Sequence, residues 1–99
     1  MQSVSAIALS GMTAAISSLG SSAHNLANLG TAGFKRELAS QEPLEGGGVT
    51  TRIDRALQPG NAIETDMVGL LSARTSFLAN LAVFRASDAM AGTLLDISA

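Results

Sequence analysis

The chain has 99 residues, enough for one small domain with a modest core. Its net charge is −2 and its six basic residues are dispersed along the sequence, which argues against a nucleic-acid partner because such binding needs a clustered basic surface. The absence of cysteine excludes a disulfide framework and thiolate chemistry.

A long first helix is predicted from Ser3 to about Leu29. Apolar residues recur at alternating spacings of three and four, the heptad pattern that keeps one stripe of a helix against a partner. This predicted seam consists of Leu9, Met12, Ile16, Leu19, Ala23 and Leu26. A second set thickens the stripe at the N-terminal end and consists of Val4, Ile7, Ala8, Gly11, Ala14 and Ala15. The other face carries only small or uncharged polar residues, whereas a solvated helix normally carries Glu and Lys. It is either a Ser- and Ala-rich surface or, as we favour, a face packed inside an assembly.

A membrane span and a secretory signal are alternative interpretations, because residues 1–34 carry no formal charge. Serine and threonine interrupt the stretch throughout, so it lacks the ~20 predominantly apolar residues that a span needs. It also has no positively charged region ahead of an uninterrupted apolar run, so we expect no Sec-type signal peptide. We disfavour both alternatives on these grounds.

Residues 23–36 predict the end of the first helix and a change of chain direction. Gly30 and Gly33 are expected to adopt the positive φ that closes a helix. Lys35 and Arg36 are the first formal charges in the sequence and mark where the chain leaves the helix.

Residues 37–62 are predicted to be a linker or a stunted subdomain. Pro43 and the three consecutive glycines at 46–48 exclude a continuous helix. The β-branched run 49–54 predicts one short strand or half of a small hairpin. The run Gln-Pro-Gly-Asn at 58–61 is a turn signal.

A second long helix is predicted from about Glu64 to about Asp96, with Thr65 or Asp66 as its N-cap. Apolar residues repeat every seven positions at 70, 77, 84 and 91, which indicates a second seam. The residues expected in the seam of this helix are Leu70, Phe77, Asn80, Leu81, Phe84 and Leu95.

The segments 1–36, 37–62 and 63–99 together predict a mainly α fold. Two long antiparallel helices form a coiled-coil hairpin, are joined by a short irregular or β-containing middle segment, and pack as one domain. With the free ends aligned, facing residue numbers sum to roughly 97, which places Met12 opposite Phe84. Two helices alone leave apolar area exposed, so we expect a homo-oligomer.

No constellation in the sequence indicates catalysis. His24 is the only histidine, and no Asp, Glu or second histidine lies at helical spacing from it. The glycines at 46–48 lack the lysine and the flanking elements of a phosphate loop, and no serine stands in the context of a Ser-His-acid triad. We therefore predict that the chain is not an enzyme and takes no cofactor, metal or small-molecule substrate.

Three asparagines lie at helical positions that asparagine disfavours, because its amide competes for backbone hydrogen bonds. Asn28 is predicted to cap the C-terminus of the first helix. For Asn25 and Asn80 we weigh a hydrogen bond across helices or subunits that fixes the register.

The two ends of the chain carry motifs that match one known family. Residues 25–36 read Asn-Leu-Ala-Asn-Leu-Gly-Thr-Ala-Gly-Phe-Lys-Arg, and residues 73–95 include Phe77, Asn80 and a Thr-Leu-Leu ending. They resemble the N-terminal signature N-I-A-N-x-N-T-x-G-[FY]-K-R and the C-terminal pattern A-x-R-x-[YF]-x-A-N-x-x-V-x-x-x-x-[DE]-M-x-x-T-L-L of bacterial flagellar rod and hook proteins. The signature residues that the resemblance assigns to assembly are Asn25, Leu26, Ala27, Asn28, Thr31, Gly33, Phe34 and Lys35.

This resemblance implies a structural subunit of the flagellar basal-body rod that contributes to motility. In that family the terminal helices form an antiparallel coiled coil and pack against copies of themselves in the axial tube. The implied partners are copies of the chain, other axial and rod proteins, and the flagellar type III export apparatus. The implied location is the periplasmic rod of the basal body, reached without a cleaved signal.

Several departures from the family pattern are visible. Gly30 stands where the family usually has Asn, and Thr75 stands where it often has Arg. The short middle segment is closest to the proximal rod type or to a divergent relative outside the standard rod. The alternatives are an unrelated secreted helical hairpin that works as a dimeric partner or effector, and a membrane-active helix pair. The first usually has a Trp-x-Gly turn, which this chain lacks, and the second needs a basic face, which its first helix lacks.

Overall fold

The computed structural model describes residues 3–98 and contains two long helices with a β-hairpin between them. Helix α1 spans Val4–Ala27, strand β1 Glu37–Pro43, strand β2 Val49–Arg55 and helix α2 Ile63–Ser98. The helices pack antiparallel in an elongated molecule of 62 × 24 × 14 Å. This architecture confirms the predicted mainly α helical hairpin.

The C-terminus of α1 is closed by Asn28, as predicted. Asn28 is the C-cap, and its side-chain Nδ2 donates to the His24 carbonyl oxygen at 2.8 Å. Gly33 adopts a positive φ of 75°. Gly30 does not, so the prediction for Gly30 is wrong. A turn in which the Thr31 N–H donates to the Asn28 carbonyl oxygen at 3.0 Å already carries the chain past this position.

The two helices pair in a register that differs from the predicted one. Gly11 lies against the Asn80 amide, since a Cβ at position 11 would come within 2.6 Å of Asn80 Oδ1. Gly69 lies equally close to Ser22, where a Cβ would be 2.6 Å from the Ser22 hydroxyl oxygen. The residue numbers of each pair sum to 91. The prediction of a sum near 97 is therefore wrong, because the free ends of the helices are not aligned.

This register leaves the end of α2 without a partner helix. A sum of 91 places Val4, the first residue of α1, level with Ser87. Residues 88–98 consequently extend beyond α1, and we call them the overhang. The predicted pairing of Met12 with Phe84 is wrong for the same reason. Leu95, predicted to lie in the seam, is in the overhang and 70% exposed.

The packed face of α1 combines Met12 of the predicted seam with Ala8, Ala14 and Ala15 of the second predicted set, and excludes the larger seam residues. The buried residues of α1 are Ala8, Met12, Ala14, Ala15, Ser21 and Asn25. Leu9 and Ile16, which were predicted to be in the seam, are 53% and 57% exposed, and Leu19 is also exposed. Small residues occupy the contact because they let two helix backbones approach closely, as Gly11 does beneath Asn80.

The residues predicted in the seam of α2 are half-buried, except Leu95. Ala73 is buried, and the half-buried positions are Leu70, Phe77, Asn80, Leu81 and Phe84.

Strands β1 and β2 pair antiparallel along their whole length. The three glycines at 46–48 all have positive φ and form the hairpin loop. The hairpin lies back along α1, because the Val49 N–H donates to the Ser10 hydroxyl oxygen at 3.2 Å and Gly47 lies against Ile7. The β-branched run is therefore half of a hairpin, one of the two predicted outcomes. Strand β1 is the half that the sequence did not predict.

Helix α2 begins two residues before the first of its predicted caps. The Asp66 N–H already donates to the Ala62 carbonyl oxygen at 3.0 Å, so the helix starts at Ile63. Thr65 and Asp66 consequently lie within the first turn, and their prediction as N-cap is wrong. The Asp66 carboxylate is instead buried, and it accepts hydrogen bonds from Asn25 of α1 and from Arg36.

Both helices are long and apolar enough to cross a membrane by length and composition alone. Core helices of soluble proteins and signal sequences meet the same criterion, so it does not by itself indicate a span. Here α1 packs on one side against α2 and on another against the β-hairpin.

Candidate functional site

A buried polar cluster joins the end of α1, the start of β1 and the start of α2. Asn25 Nδ2 donates to the Glu37 carbonyl oxygen at 2.9 Å, and the Glu37 N–H donates to Asn25 Oδ1 at 2.7 Å. The same Nδ2 donates to Asp66 Oδ1 at 3.1 Å. Arg36 donates from Nε to Asp66 Oδ2 at 3.1 Å and from Nη2 to Oδ1 at 2.6 Å. We call Asn25, Arg36, Glu37 and Asp66 the corner cluster.

The ion pair of the corner cluster is largely removed from water. The side chains of Asp66 and Arg36 are 3% and 18% exposed. Hydrogen bonds from Arg36 hold the pKa of the Asp66 carboxyl below its ordinary value, and the bond from Asn25 acts in the same direction, whereas burial opposes the shift. The pKa of Arg36 is raised, chiefly by its hydrogen bonds to Asp66. Both groups are therefore charged at neutral pH.

The bidentate contact between Arg36 and Asp66 fixes the relative position of the segments that carry them. Two parallel N–H···O bonds from a guanidinium to a carboxylate fix direction as well as distance. Asn25 satisfies the backbone of Glu37 as a neighbouring strand would, so β1 has a hydrogen-bonding partner where it leaves α1. The cluster thus fixes the position of α2 relative to both α1 and the hairpin.

Phe34 packs at the same corner and joins three further groups. Its ring meets the His24 ring edge-on, with centroids 5.4 Å apart. The guanidinium carbon of Arg55 lies 5.6 Å from the centre of the Phe34 ring. The Gly60 N–H donates to the Phe34 carbonyl oxygen at 3.2 Å, which ties down the segment that leads into α2. His24, the only histidine, is thereby a packing partner of Phe34.

The structure brings together most of the predicted signature residues at this corner. Asn25 belongs to the corner cluster, Asn28 caps α1, Gly33 provides the positive φ, and Phe34 provides the ring contacts. The Thr31 hydroxyl donates to Asn28 Oδ1 at 3.1 Å. The remaining signature residues are half-buried Leu26 and exposed Ala27 and Lys35.

The predictions for the two helical asparagines have different outcomes. Asn25 does make the expected hydrogen bond between helices, to Asp66. Asn80 does not: its Nδ2 donates to the Ser76 carbonyl oxygen within α2 at 2.9 Å. Its amide lies over Gly11, so it fixes the register by packing.

Sequence reasoning missed the pair of Arg36 and Asp66, which are 30 residues apart. Arg36 was interpreted only as the end of a signature and Asp66 only as a helix cap. No local signal distinguishes the pair, because Arg36 stands between Lys35 and Glu37 and Asp66 follows Glu64 by two residues.

An apolar groove runs along one side of the two helices, away from the corner. It has a volume of about 450 Å³, and its large apolar residues are Ile16, Leu19, Leu70, Leu71 and Phe77. Arg74 is the one charged residue in its lining. Among residues 3–98, Arg74 has no acidic partner within ion-pair distance.

Within residues 3–98, no group of three or more His, Cys, Asp and Glu side chains is placed to hold a metal ion. The features that the structure does show are the buried polar corner, the apolar groove and the exposed overhang. No family model and no curated protein sequence matches the chain.

Proposed function

We propose that the chain is a structural subunit of the bacterial flagellar basal-body rod, which assembles by helix packing and carries no active site. The proposal starts from the resemblance of residues 25–36 and 73–95 to the terminal motifs of rod and hook proteins. Its partners are copies of itself, other rod and axial proteins, and the flagellar export apparatus. Its place of action is the periplasmic rod of the basal body.

The observation that carries the proposal is the amount of apolar surface on both helices. Large apolar residues more than about one third exposed include Leu9, Ile16, Leu19, Met67, Leu71, Leu78, Val83, Met90 and Ile97. Surface helices normally expose a charged face, whereas α1 contains no Asp, Glu, Lys or Arg. Contiguous apolar surface of this kind is typical of proteins that function in association with others.

The corner cluster supports the same proposal in a different way. A subunit of a regular assembly must present the same surface in every copy. The corner cluster and the Gly11–Asn80 contact hold α1 and α2 in one register, so the apolar residues of the two helices keep fixed relative positions. A rigid hairpin with uncovered apolar flanks is suited to helix packing between subunits.

The proposal is tested in the bacterium that encodes the chain. We expect deletion of the gene to abolish swimming and to remove complete rods from isolated basal bodies, and the wild-type gene to restore both. Ile16→Asp, at an exposed apolar position of α1, should fail to restore them. The matched control Leu57→Asp changes an 89% exposed residue outside both helices and should restore them. Normal basal bodies and swimming without the gene would overturn the proposal.

A further inference from the structure

We propose that a cleft beside β1 binds an extended peptide segment of a different protein, which adds to the hairpin as a third strand. The cleft lies between β1 and the two helices and has a volume of about 370 Å³. We call it the hydroxyl cleft, after the side chains that line it from α1 and α2, which are Ser18, Ser21, Ser22, Thr65, Ser72 and Ser76. The inference goes beyond the proposed function and does not depend on it.

The hydrogen bonds at the two ends of the hairpin identify which backbone groups point outward. At one end the Ala56 N–H donates to the Arg36 carbonyl oxygen at 2.8 Å. At the other end the Leu44 N–H donates to the Gly48 carbonyl oxygen at 3.0 Å. Bonded pairs alternate along an antiparallel ladder, so the even-numbered residues of both strands bond across the hairpin. The odd-numbered residues therefore direct their N–H and C=O groups away from the partner strand.

Two of these outward residues, Ala39 and Gln41, line the hydroxyl cleft. The outward groups of Glu37, which precedes them on this edge, are bonded to the Asn25 amide in place of a neighbouring strand. At the far end of β1, Pro43 has no N–H to donate. Within residues 3–98, no group outside the hairpin bonds to the backbone of Ala39 or Gln41. The open part of the edge is therefore the part that faces the cleft.

The hydroxyl cleft also contains a buried side chain that lacks a partner. Ser21 is 5% exposed, and its hydroxyl makes no hydrogen bond to another residue of the range 3–98. Buried polar groups of this kind are nearly always hydrogen-bonded. A hydroxyl can both donate and accept, and a peptide backbone offers both kinds of group. An added strand would thus supply the bond that the chain itself does not provide.

The charged residues in the lining already have ionic partners. Arg36 and Asp66 form the ion pair of the corner cluster, and the Glu37 carboxylate lies 3.8 Å from Arg55. The polar groups that remain are neutral hydroxyls and the outward backbone groups of β1. They are complementary to an uncharged main chain, as in other cases of strand addition to a sheet edge, and offer a free anion no unpaired cation.

The dimensions of the hydroxyl cleft fit a short strand. On α2 its lining runs from Thr65 to Ser76, eleven residues apart, which corresponds to about 16 Å of helix. A strand rises about 3.3 Å per residue, so about five extended residues cover this length. Gly69 and Ala73 lie between the hydroxyl residues of α2 in the lining. Such small residues let another backbone approach closely.

The described part of the chain has no free extended segment to fill the cleft itself. Within residues 3–98, both strands are already paired with each other. The Gly60 N–H donates to the Phe34 carbonyl oxygen, which ties the connection before α2 to the connection before β1. A second copy is subject to the same constraints. We therefore assign the cleft to a segment of a different protein.

Fluorescence anisotropy with a labelled peptide tests the site on the full chain. The probe is the acetylated and amidated hexapeptide Ser-Val-Ser-Val-Ser-Val, whose small, uncharged side chains suit recognition through the main chain. We expect saturable 1:1 binding, and protection of the Ala39 and Gln41 amides from hydrogen exchange. The same peptide methylated on every backbone nitrogen cannot donate to the edge. It should bind at least about tenfold more weakly, as expected for loss of the main-chain hydrogen bonds.

Two proline variants locate the binding site. Gln41→Pro removes an outward N–H of β1 and keeps the bonds between the strands, so we expect at least about fivefold weaker binding. The matched control Ile53→Pro removes an outward N–H from the opposite edge, on β2, and should bind as the wild type does. Where circular dichroism shows that Gln41→Pro is unfolded, Ser72→Leu, which fills the cleft from an exposed position of α2, takes its place.

Three outcomes would overturn the inference. The first is no binding of the probe at millimolar concentration. The second is equal binding of the methylated and unmethylated peptides, or an equal loss in the two proline variants. The third is a dimer of the wild type that excludes the probe, since it would assign the edge of β1 to a second copy.

Discussion

The two ends of the helical hairpin differ in which groups they bury and which they expose. At the corner, where α1 ends and α2 begins, Asn25 and Asp66 are 3% and 2% exposed, and their polar groups bond to three different elements. At the far end, the overhang extends beyond α1, and Ile97 is 77% exposed. Polar groups are buried at the first end, and apolar groups are exposed at the second.

Under the proposed function, this difference separates the contacts that fold the chain from the surface that joins copies of it. Hydrogen bonds are directional, so the corner cluster determines one arrangement of α1, α2 and the hairpin. Apolar burial is not directional and scales with area, so the exposed stripe gains free energy only when another surface covers it. Substitutions at the corner should therefore change stability, and substitutions in the overhang should change association.

The largest expected effect is at the centre of the corner cluster. Asp66→Ala leaves the Arg36 guanidinium, whose side chain is 18% exposed, without its counter-charge. Breaking such a buried pair costs about 3–5 kcal/mol, so the free energy of unfolding in urea should fall by that amount. The control Asp54→Ala breaks the exposed pair with Arg52 and should cost no more than about 1 kcal/mol. Equal losses for the two variants would show that the corner cluster does not hold the fold.

The next effect is at the close approach of the two helices. Gly11→Leu places a side chain where a Cβ alone would be 2.6 Å from Asn80 Oδ1, and overpacking of this kind costs about 1–3 kcal/mol. At Gly20 a Cβ would have no neighbour within 4 Å, so Gly20→Leu should be neutral or stabilising by up to about 1 kcal/mol. Thermal unfolding followed by circular dichroism distinguishes them. Similar melting of both variants would contradict the register with a sum of 91.

A smaller effect is expected from protonation of Asp66. Its pKa is lowered in the folded chain from an ordinary value of 3.8, chiefly by the hydrogen bonds from Arg36. The stabilisation is therefore complete above that ordinary value and is lost as the pH falls through the lower, folded-state pKa. The free energy of unfolding of the wild type should fall more steeply below about pH 4 than that of Asp66→Asn. Parallel curves for the two proteins would exclude a role of Asp66 in acid stability.

The smallest effect on stability is expected in the overhang. Met90→Ser changes a 66% exposed residue that lies beyond the end of α1. Such surface substitutions change the free energy of unfolding by no more than about 0.5 kcal/mol. The measurement is urea unfolding of the dilute monomer. A loss as large as that of Asp66→Ala would mean that the overhang packs within its own chain.

The helices and their antiparallel order could be predicted because apolar periodicity over long segments is a strong signal. The register could not, and neither could the dominance of the second set on α1, because Ala8, Gly11 and Ala15 form the contact and small residues contribute little to an apolar pattern. Large residues such as Leu9 and Ile16 dominate that pattern but remain on the outside.

The corner was recognised in part. Asn25, Asn28, Gly33 and Phe34 were found as a signature, while the Arg36–Asp66 pair depends on a contact across 30 residues that no local pattern records. Strand β1 was missed because residues 37–43 have no β-branched side chain and contain a proline. Its position depends on pairing with β2 and on the Asn25 amide, both of which are tertiary contacts.

Hydrogen exchange at two protein concentrations tests the division between the two ends most directly. In dilute protein we expect the amides of residues 88–98 to exchange fast and those of the first turns of α2, around Asp66, to exchange slowly. On self-association, residues 88–98 should become protected, with little change around Asp66. An overhang already protected in the monomer, or one unaffected by association, would contradict the account.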